Sequence, residues 1–322
     1  MTPNDHGDGL PWAQAWRDAS RAFWATSLPS EHFRTSAGPG VAPRVAEIIR
    51  ATDARLRHPA DLTIVDIGCG DGALLSLVRE QCPDLEGRAR WIGIDLRPFA
   101  RPDVESLTAM CPTQIPGAPF VGVVMAHEWL DELPCDVVER DADGVDRVLL
   151  VDREGCEVLG PALSDGDGCA RLGVDAAAAR EWLDRWWPLR DPGDRAEIGW
   201  RRDRAWAWMG ILLERGTALV TDYGHDRDSR GEADRRGTLV AYRGGRVVTP
   251  VPDGTCGVTA HVAVDACAHA LPGTVLSTQR DEIPRAHLSD SVDSGDVAAY
   301  FDNLRLRDHS RLGGIRWLRW ER

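Results

Sequence analysis

The stretch LTIVDIGCGDG, residues 62–72, decides the fold of this chain. Leu62 to Asp66 form a short apolar run rich in β-branched side chains, which is typical of a buried strand. Three glycines follow this run, and a helical spacing of apolar residues begins at Ala73. A strand, a glycine turn and a helix in this order predict the first βα unit of a parallel α/β sheet.

The same alternation continues along the chain. Apolar runs at 91–95, 120–126 and 217–221 predict three more strands, which alternate with helical patterns. Runs at 273–279 and 315–320 predict the last two strands, as an antiparallel pair. We therefore expect an α/β fold with a Rossmann-like sheet and helices on both faces.

Segments outside this alternation predict further elements. Helical spacing predicts N-terminal helices over 11–27 and 41–56, and a Trp- and Arg-bearing helix over 176–187. Residues 136–160 predict a β-hairpin around Asp143-Gly144. We therefore divide the chain into an N-terminal helical segment (1–58), the first half of the core (59–135), a hairpin and Trp-rich helical insertion (136–199) and the second half of the core (200–322).

The composition argues against several functional classes. The 322 residues carry 51 acidic and 38 basic side chains, a formal net charge of −13. Binding to nucleic acid or to an anionic membrane needs a basic face, so we expect neither. The eight cysteines show no CxxC pair and no zinc-finger spacing, so we expect reduced thiols and no metal. The sequence shows no signal-peptide core and no long apolar stretch, which predicts a cytoplasmic protein.

The acid before the glycine turn discriminates between two nucleotide cofactors. Gly68, Gly70 and Gly72 are spaced G-x-G-x-G, whereas dinucleotide sites favour G-x-G-x-x-G. A carboxylate at Asp66 would repel a pyrophosphate but attract the cationic amino end of S-adenosylmethionine. Asp95 ends the next strand, where a carboxylate accepts hydrogen bonds from ribose hydroxyls. We therefore predict S-adenosyl-L-methionine as the cofactor, with a nicotinamide dinucleotide as an alternative.

An acidic loop, residues 127–134, follows the Phe120–Ala126 run. Ligands of open α/β sheets bind beyond the carboxyl ends of the strands, so this loop should face the methyl group. Its carboxylates could hold a cationic acceptor such as a guanidinium in a bidentate fork. We predict that Glu128, with Asp131 behind it, orients the acceptor, and that a carboxylate or His127 takes its proton. The alternative is that Asp131 and Glu132 only stabilise the first turn of a helix.

Six segments in series carry a family resemblance. They are Phe33–Ser36, Val65–Gly72, Ala126–Pro134, Thr221–Gly224, Gly237–Arg243 and Val258–Val262. Together they resemble the aromatic-x-Thr-Ser, glycine-loop, Asn-Glu-aromatic-x-Asp-Ala-Leu-Pro, Asp-Tyr-Gly, Gly-Thr-Leu-x-x-Tyr and Asp-x-Thr-x-His-Val segments of the MidA-like family. The resemblance implies a class I methyltransferase fold. For the mitochondrial members, which are assembly factors of respiratory complex I, it also implies protein-arginine methylation.

The resemblance also directs attention to Thr35 and Ser36, which we predict to contact the cofactor; the alternative is that they cap a helix. The chain departs from the family pattern at His127, where the family has Asn, and at Gly257, where it has an acid. We therefore expect a methyltransferase that acts on a protein side chain, arginine by resemblance. A small-molecule methyltransferase of the same fold and a non-catalytic scaffold stay open.

The segment from Arg180 to Arg204 combines seven arginines with six acids and several tryptophans. Because these charges nearly cancel, we do not expect a basic surface that binds the phosphate backbone of a nucleic acid. The pattern favours a lid or a partner-binding helix. A homodimer and the docking of a protein substrate are both open.

Overall fold

The computed structural model describes residues 9–27, 36–102, 104–109, 115–286 and 294–322, and these residues divide into two compact units. The first, here called the sheet unit, comprises Ala205–Gly224 and the described parts of 34–130 and 268–322. The second, here called the insertion unit, comprises Asp131–Arg204, His225–Cys267 and the described part of 1–33.

The sheet unit is built on seven strands. They are β1 (Leu62–Ile67), β2 (Ala89–Asp95), β3 (Glu105–Thr108), β4 (Phe120–His127), β5 (Leu213–Asp222), β6 (Val275–Thr278) and β7 (Arg316–Glu321). Their order across the sheet is β3-β2-β1-β4-β5-β7-β6. Strands β1 to β5 are parallel, whereas β7 is antiparallel to both β5 and β6. The predicted Rossmann-like sheet with a closing antiparallel pair is confirmed.

Two helices of this unit bury their apolar stripes in one core cluster. Ala42–Arg55 and Ala73–Glu80 contribute residues at helical spacing, and strands β1, β4 and β5 complete the cluster. Pro43 suits the first turn of its helix, where no backbone N–H is needed. The other helical elements are Pro83–Leu85, Gln279–Glu282, Ser294–Arg307 and Leu312–Gly314, together with Trp200–Ile211 and Val264–Ala270, which run across the sequence boundary of the units.

The insertion unit is a separate arrangement of strands and helices. Asp136–Arg140 and Asp146–Val151 pair antiparallel across the turn that contains Asp143 and Gly144, as the sequence predicts. The remaining strands are Leu10–Pro11, Glu157–Ala162, Arg195–Ile198, Gly224–His225, Val240–Arg243, Arg246–Val248, Gly257–Thr259 and Val262–Ala263. The helical elements are Trp12–Trp24, Gly166–Arg171, Ala176–Trp186 and Glu232–Arg235. Within the described ranges, no helix has the length and hydropathy to cross a bilayer.

Two of the four tryptophans of the predicted lid or docking segment, residues 180–204, are buried in the insertion unit. Trp182 and Trp187 are each only 5% exposed and pack in an apolar cluster with Val138 and Ile198. An exposed tryptophan cluster would mark an interface. The burial of these two side chains instead gives them the role of core residues.

A buried arginine holds two segments of the insertion unit together. The Arg202 guanidinium donates to the carbonyls of Leu133 and Asp131, and to those of Ala260 and His261. The side chain is 1% exposed, so these bonds replace the water that a buried cation would otherwise lose. The fork geometry of arginine therefore fixes the loop after residue 130 against residues 260–261.

The centre of the sheet contains two glycines that no other residue can replace without strain. Gly122 of β4 pairs with Thr63 on one side and with Gly216 on the other. Their φ angles are 155° and 149°, in the region that favours glycine. A Cβ on Gly122 would lie 1.8 Å from the Thr63 carbonyl oxygen. The absence of a side chain is thus a condition for pairing β4 with β1.

We expect Gly122→Ala to lower the free energy of unfolding by about 3 kcal/mol or more, because the clash is with backbone that cannot yield. Gly38→Ala is the matched control, since its Cβ would have its nearest contact at 3.9 Å, and we expect a change within about 0.5 kcal/mol. Denaturant unfolding followed by circular dichroism measures both. Equal midpoints for the two variants would contradict the role given to Gly122.

Candidate functional site

The order of the strands reverses between β1 and β4, which are neighbours at the centre of the sheet. In open α/β sheets, such a reversal opens a crevice beyond the carboxyl ends of the strands, where ligands bind. The ends of β1 and β4 carry the glycine loop, residues 68–72, and the acidic loop that begins at Glu128. The sheet therefore brings the two strongest sequence motifs to one edge.

Each of the three loop positions is occupied by glycine for a different structural reason. All three have positive φ angles, 69°, 59° and 75° for Gly68, Gly70 and Gly72. A Cβ at Gly68 would lie 2.6 Å from the Trp129 ring, and one at Gly72 would lie 2.7 Å from the Phe99 ring. A Cβ at Gly70 would have no described atom within 4 Å. Gly70 is therefore the point at which the loop backbone faces open space.

Two carboxyl groups flank this loop. Asp66 is the penultimate residue of β1 and is 2% exposed, and its Oδ1 has no hydrogen-bond partner among the described residues. Burial, with a smaller effect of the charge on Asp95, raises the pKa of Asp66 to about 8. Asp95 ends β2, and its Oδ2 accepts a 2.9 Å bond from the Gly70 N–H. Burial also raises the pKa of Asp95.

These features fit a cationic nucleoside cofactor. An unpaired carboxylate in the interior is unfavourable, and a cation that binds beside it removes that penalty. Gly70 provides a cradle that a side chain would fill, and Asp95 places a second acceptor at the next strand end. Two carboxyl groups that accept hydrogen bonds suit an ammonium group and the hydroxyls of a ribose, and they do not suit a pyrophosphate.

The end of β4 places Glu128 in a hydrogen-bonded network. Ser36 donates to Glu128 Oε1 through its backbone N–H at 2.7 Å and through its Oγ at 2.8 Å. Ser36 Oγ also lies 2.7 Å from His127 Nε2, and His127 Nδ1 is hydrogen-bonded to Thr221 Oγ1. These four side chains come from three segments of the sheet unit that are far apart in sequence.

The backbone at Glu128 is in the left-handed region, with a φ of 51°, which is uncommon for a residue with a side chain. The Glu128 N–H donates to the Thr221 carbonyl at 2.8 Å. The next two N–H groups, of Trp129 and Leu130, donate to Asp222 Oδ2 at 3.1 and 2.7 Å. The end of β5 thus holds the turn that presents the Glu128 carboxylate.

The structure brings together most of the residues that the sequence singles out, but not all of them. Ser36, His127 and Glu128 form one cluster, and the residues of the glycine loop lie around Asp66 and Asp95. Thr35 lies outside the described residues. Asp131 belongs to the insertion unit, where its carbonyl accepts bonds from Arg202 and from the Ala260 N–H.

Thr221 at the end of β5 contacts the site through its bond to His127. It is not among the predicted site residues, because its only signal in the sequence is its position before the Asp222-Tyr223-Gly224 motif. Cys135 follows Pro134 and is fully buried. Burial raises the pKa of this thiol to about 11, so it is not an activated nucleophile.

Comparisons with known proteins agree with this geometry. A family model described as an S-adenosyl-L-methionine-dependent methyltransferase, Methyltransf_28, matches residues 41–279. Over 89 residues the chain is 33% identical to the trans-aconitate 2-methyltransferase of Acidovorax sp. (strain JS42). This match covers 28% of the chain and 30% of the length of that enzyme, so it extends over less than a third of the curated relative.

Two solved structures from Burkholderia thailandensis share the fold. One is a COG1565 superfamily member bound to S-adenosyl-homocysteine, with a TM-score of 0.73 and 18% identity over 98% of this chain and 88% of that chain. The other is a native COG1565 superfamily protein, with a TM-score of 0.72 and 20% identity over 98% and 87% of the two chains. The family match makes S-adenosyl-L-methionine the cofactor, in place of the nicotinamide alternative. This chain belongs to the MidA-like Methyltransf_28 family of S-adenosyl-L-methionine-dependent methyltransferases.

Proposed function

We propose that this enzyme methylates a nitrogen atom of a protein side chain, with the guanidinium of arginine as the acceptor. One observation carries the proposal. Ser36 fixes Glu128 Oε1 with two donated bonds, and both hydrogen bonds that the described residues donate to the Glu128 carboxylate go to this one oxygen. A carboxylate that is held at one oxygen and available at the other suits a cationic N–H donor.

The cofactor residues of the proposal lie around the glycine loop. Asp66 would hold the amino group of the cofactor, and Asp95 would accept from the ribose hydroxyls, while Gly68, Gly70 and Gly72 let the backbone approach. The bound cofactor supplies a methyl group that its sulfonium makes electrophilic. The protein then has to orient the acceptor in line and exclude water.

The acceptor nitrogen must lose one proton as it gains the methyl group. In the proposal, Glu128 Oε2 orients the N–H and receives that proton, while His127 and Ser36 keep the carboxylate in place. The left-handed backbone at Glu128 supports this role, because such conformations cluster where a side chain must be aimed. Arginine as the acceptor rests on charge and on the family resemblance.

A small-molecule acceptor is the second candidate. The partial match to a trans-aconitate methyltransferase, 33% identity over 89 residues, supports this alternative. An acidic acceptor of that kind would meet the Glu128 carboxylate, which would repel it. The charge at the end of β4 therefore favours a cationic acceptor.

We expect binding of S-adenosylhomocysteine to weaken as the pH falls below 8. The raised pKa leaves Asp66 protonated there in the unliganded protein, and the ammonium group needs the ionised form. Binding then releases a proton, and the dissociation constant rises by about tenfold per pH unit well below that pKa. Calorimetry in buffers of different ionisation enthalpy measures both effects. Asp66→Asn should bind weakly and without this slope, and a slope that persists in the variant would refute the assignment.

We expect Asp95→Ala to weaken S-adenosylhomocysteine binding by about 10- to 100-fold, because bonds to a charged acceptor are lost. Asp95→Asn is the control, because its amide oxygen can still accept from the Gly70 N–H and so keep the loop in place. It should lose less affinity than the alanine variant. Affinities equal to that of the parent in both variants would show that the ribose lies elsewhere.

We expect Glu128→Gln to lower methyl transfer by about 100-fold or more while S-adenosylhomocysteine binding is unchanged. The assay follows labelled methyl groups into a cell lysate that is then separated by size. Label in protein, released as methylarginine after acid hydrolysis, supports the proposal, whereas label confined to small molecules supports the alternative. Glu105→Gln, in an exposed ion pair with Arg90, is the matched control and should keep full activity.

A further inference from the structure

Ser36 is the residue that fixes the Glu128 carboxylate, and we infer that it is a positioning residue for methyl transfer and not a cofactor contact. Its two bonds to Oε1 span 92 residues of sequence. Ser36 is 4% exposed and Glu128 is 8% exposed, so water competes little for these bonds. The inference rests on the role proposed above for Glu128.

The bonds around Ser36 have a definite direction. The hydroxyl of a serine carries one proton, and Ser36 donates it to Glu128 Oε1. The 2.7 Å contact between Ser36 Oγ and His127 Nε2 is then a bond in which the ring nitrogen donates. A neutral ring must therefore accept at Nδ1, where Thr221 Oγ1 is its partner. Each donor in this series points toward Glu128, so the series stabilises the ionised carboxylate.

The series closes into a ring through the backbone. Thr221 lies opposite His127 in the pairing of β5 with β4, and its carbonyl accepts from the Glu128 N–H. Thr221 thus contacts both residues of the pair His127-Glu128, one through its side chain and one through its main chain. Glu128 sits at a φ of 51°, a conformation that is strained for a residue with a side chain and persists only where neighbours enforce it.

This arrangement separates the two oxygens of Glu128 by function. Oε1 is engaged by Ser36, with His127 Nε2 at 3.5 Å, whereas Oε2 is left for the acceptor. If Ser36 loses its hydroxyl, Glu128 Oε1 keeps only the bond from the Ser36 backbone N–H, so the carboxylate is held less firmly, and His127 Nε2 loses its acceptor. The expected consequence is a carboxylate that is present but misaligned, which affects turnover more than cofactor binding.

The test uses Ser36→Ala and Ser36→Thr in the chain of 322 residues. We expect Ser36→Ala to lower the maximal rate of labelled methyl transfer to lysate protein by about 10- to 100-fold. The dissociation constant for S-adenosylhomocysteine should stay within about twofold of the parent. Ser36→Thr keeps the hydroxyl and should recover most of the rate. If Ser36→Ala weakens cofactor binding and spares the maximal rate, Ser36 is a cofactor contact and the inference is wrong.

Ser310→Ala is the matched control. Ser310 also donates through its backbone N–H and its Oγ to one carboxylate oxygen, that of Asp308, but lies in an exposed turn. Ser310→Ala removes the hydroxyl and keeps the backbone N–H bond, as Ser36→Ala does, but elsewhere in the sheet unit. Equal losses of rate in Ser36→Ala and Ser310→Ala would mean that the effect is one of general stability, and would overturn the inference.

A double-variant cycle then asks whether Ser36 acts through Glu128. In the Glu128→Gln background, Ser36→Ala should cause no further loss of rate, because the group that it positions is already gone. A further 10-fold loss there would overturn the inference and leave the role of Glu128 intact. Full activity of Glu128→Gln alone would instead refute the proposed function, so the two failures are distinguishable.

A spectroscopic readout is independent of turnover. In protein labelled with ¹⁵N-histidine, the His127 ring should carry a proton on Nε2, as the direction of the series requires. Ser36→Ala should shift the Nε2 resonance, whereas Ser310→Ala should leave it unchanged. A parent ring protonated at Nδ1 alone would overturn the inference.

Discussion

The pairing of β4 between β1 and β5 is the constraint on which the rest of the structure depends. It requires glycine at Gly122, because a side chain there would meet the Thr63 carbonyl at 1.8 Å. Once the strands pair in this register, Asp66 comes opposite Met125, two residues before His127, and Thr221 comes opposite His127. The glycine loop and the turn at Glu128 therefore come to one edge of the sheet through this strand pairing.

The local part of this architecture can be predicted from the sequence. The β-branched run before Gly68, the 3.6-residue spacing of the helix Ala42–Arg55 and the turn at Asp143-Gly144 are all encoded by neighbours in the chain, and the structure has each of them. Strand β3 shows no such signal, because its four residues, Glu-Ser-Leu-Thr, are too few to display a period. Its place follows only from pairing with β2.

Contacts between distant segments are harder to predict. Asp66 and Asp95 can be assigned because strand ends share an edge, but nothing in the pattern shows that Ser36 bonds to a residue 92 positions away. The tryptophans of 180–204 indicate an exposed surface by composition, whereas packing places Trp182 and Trp187 in a core. The role of Asp131 behind Glu128, the homodimer, the cytoplasmic location and the domain boundaries stay predictions.

The four hydrogen bonds that the Arg202 guanidinium donates limit how this fold can be modified. One guanidinium binds the carbonyls on both sides of the long segment 134–259, at Asp131 and Leu133 before it and at Ala260 and His261 after it. The two ends of the segment are therefore joined at a single side chain that the segment itself provides. A segment that is exchanged between related enzymes must therefore carry its own arginine at this position. Without it, the chimeric protein loses the hydrogen bonds at both ends of the exchanged segment. Lysine cannot substitute, because a single ammonium group cannot reach four diverging acceptors.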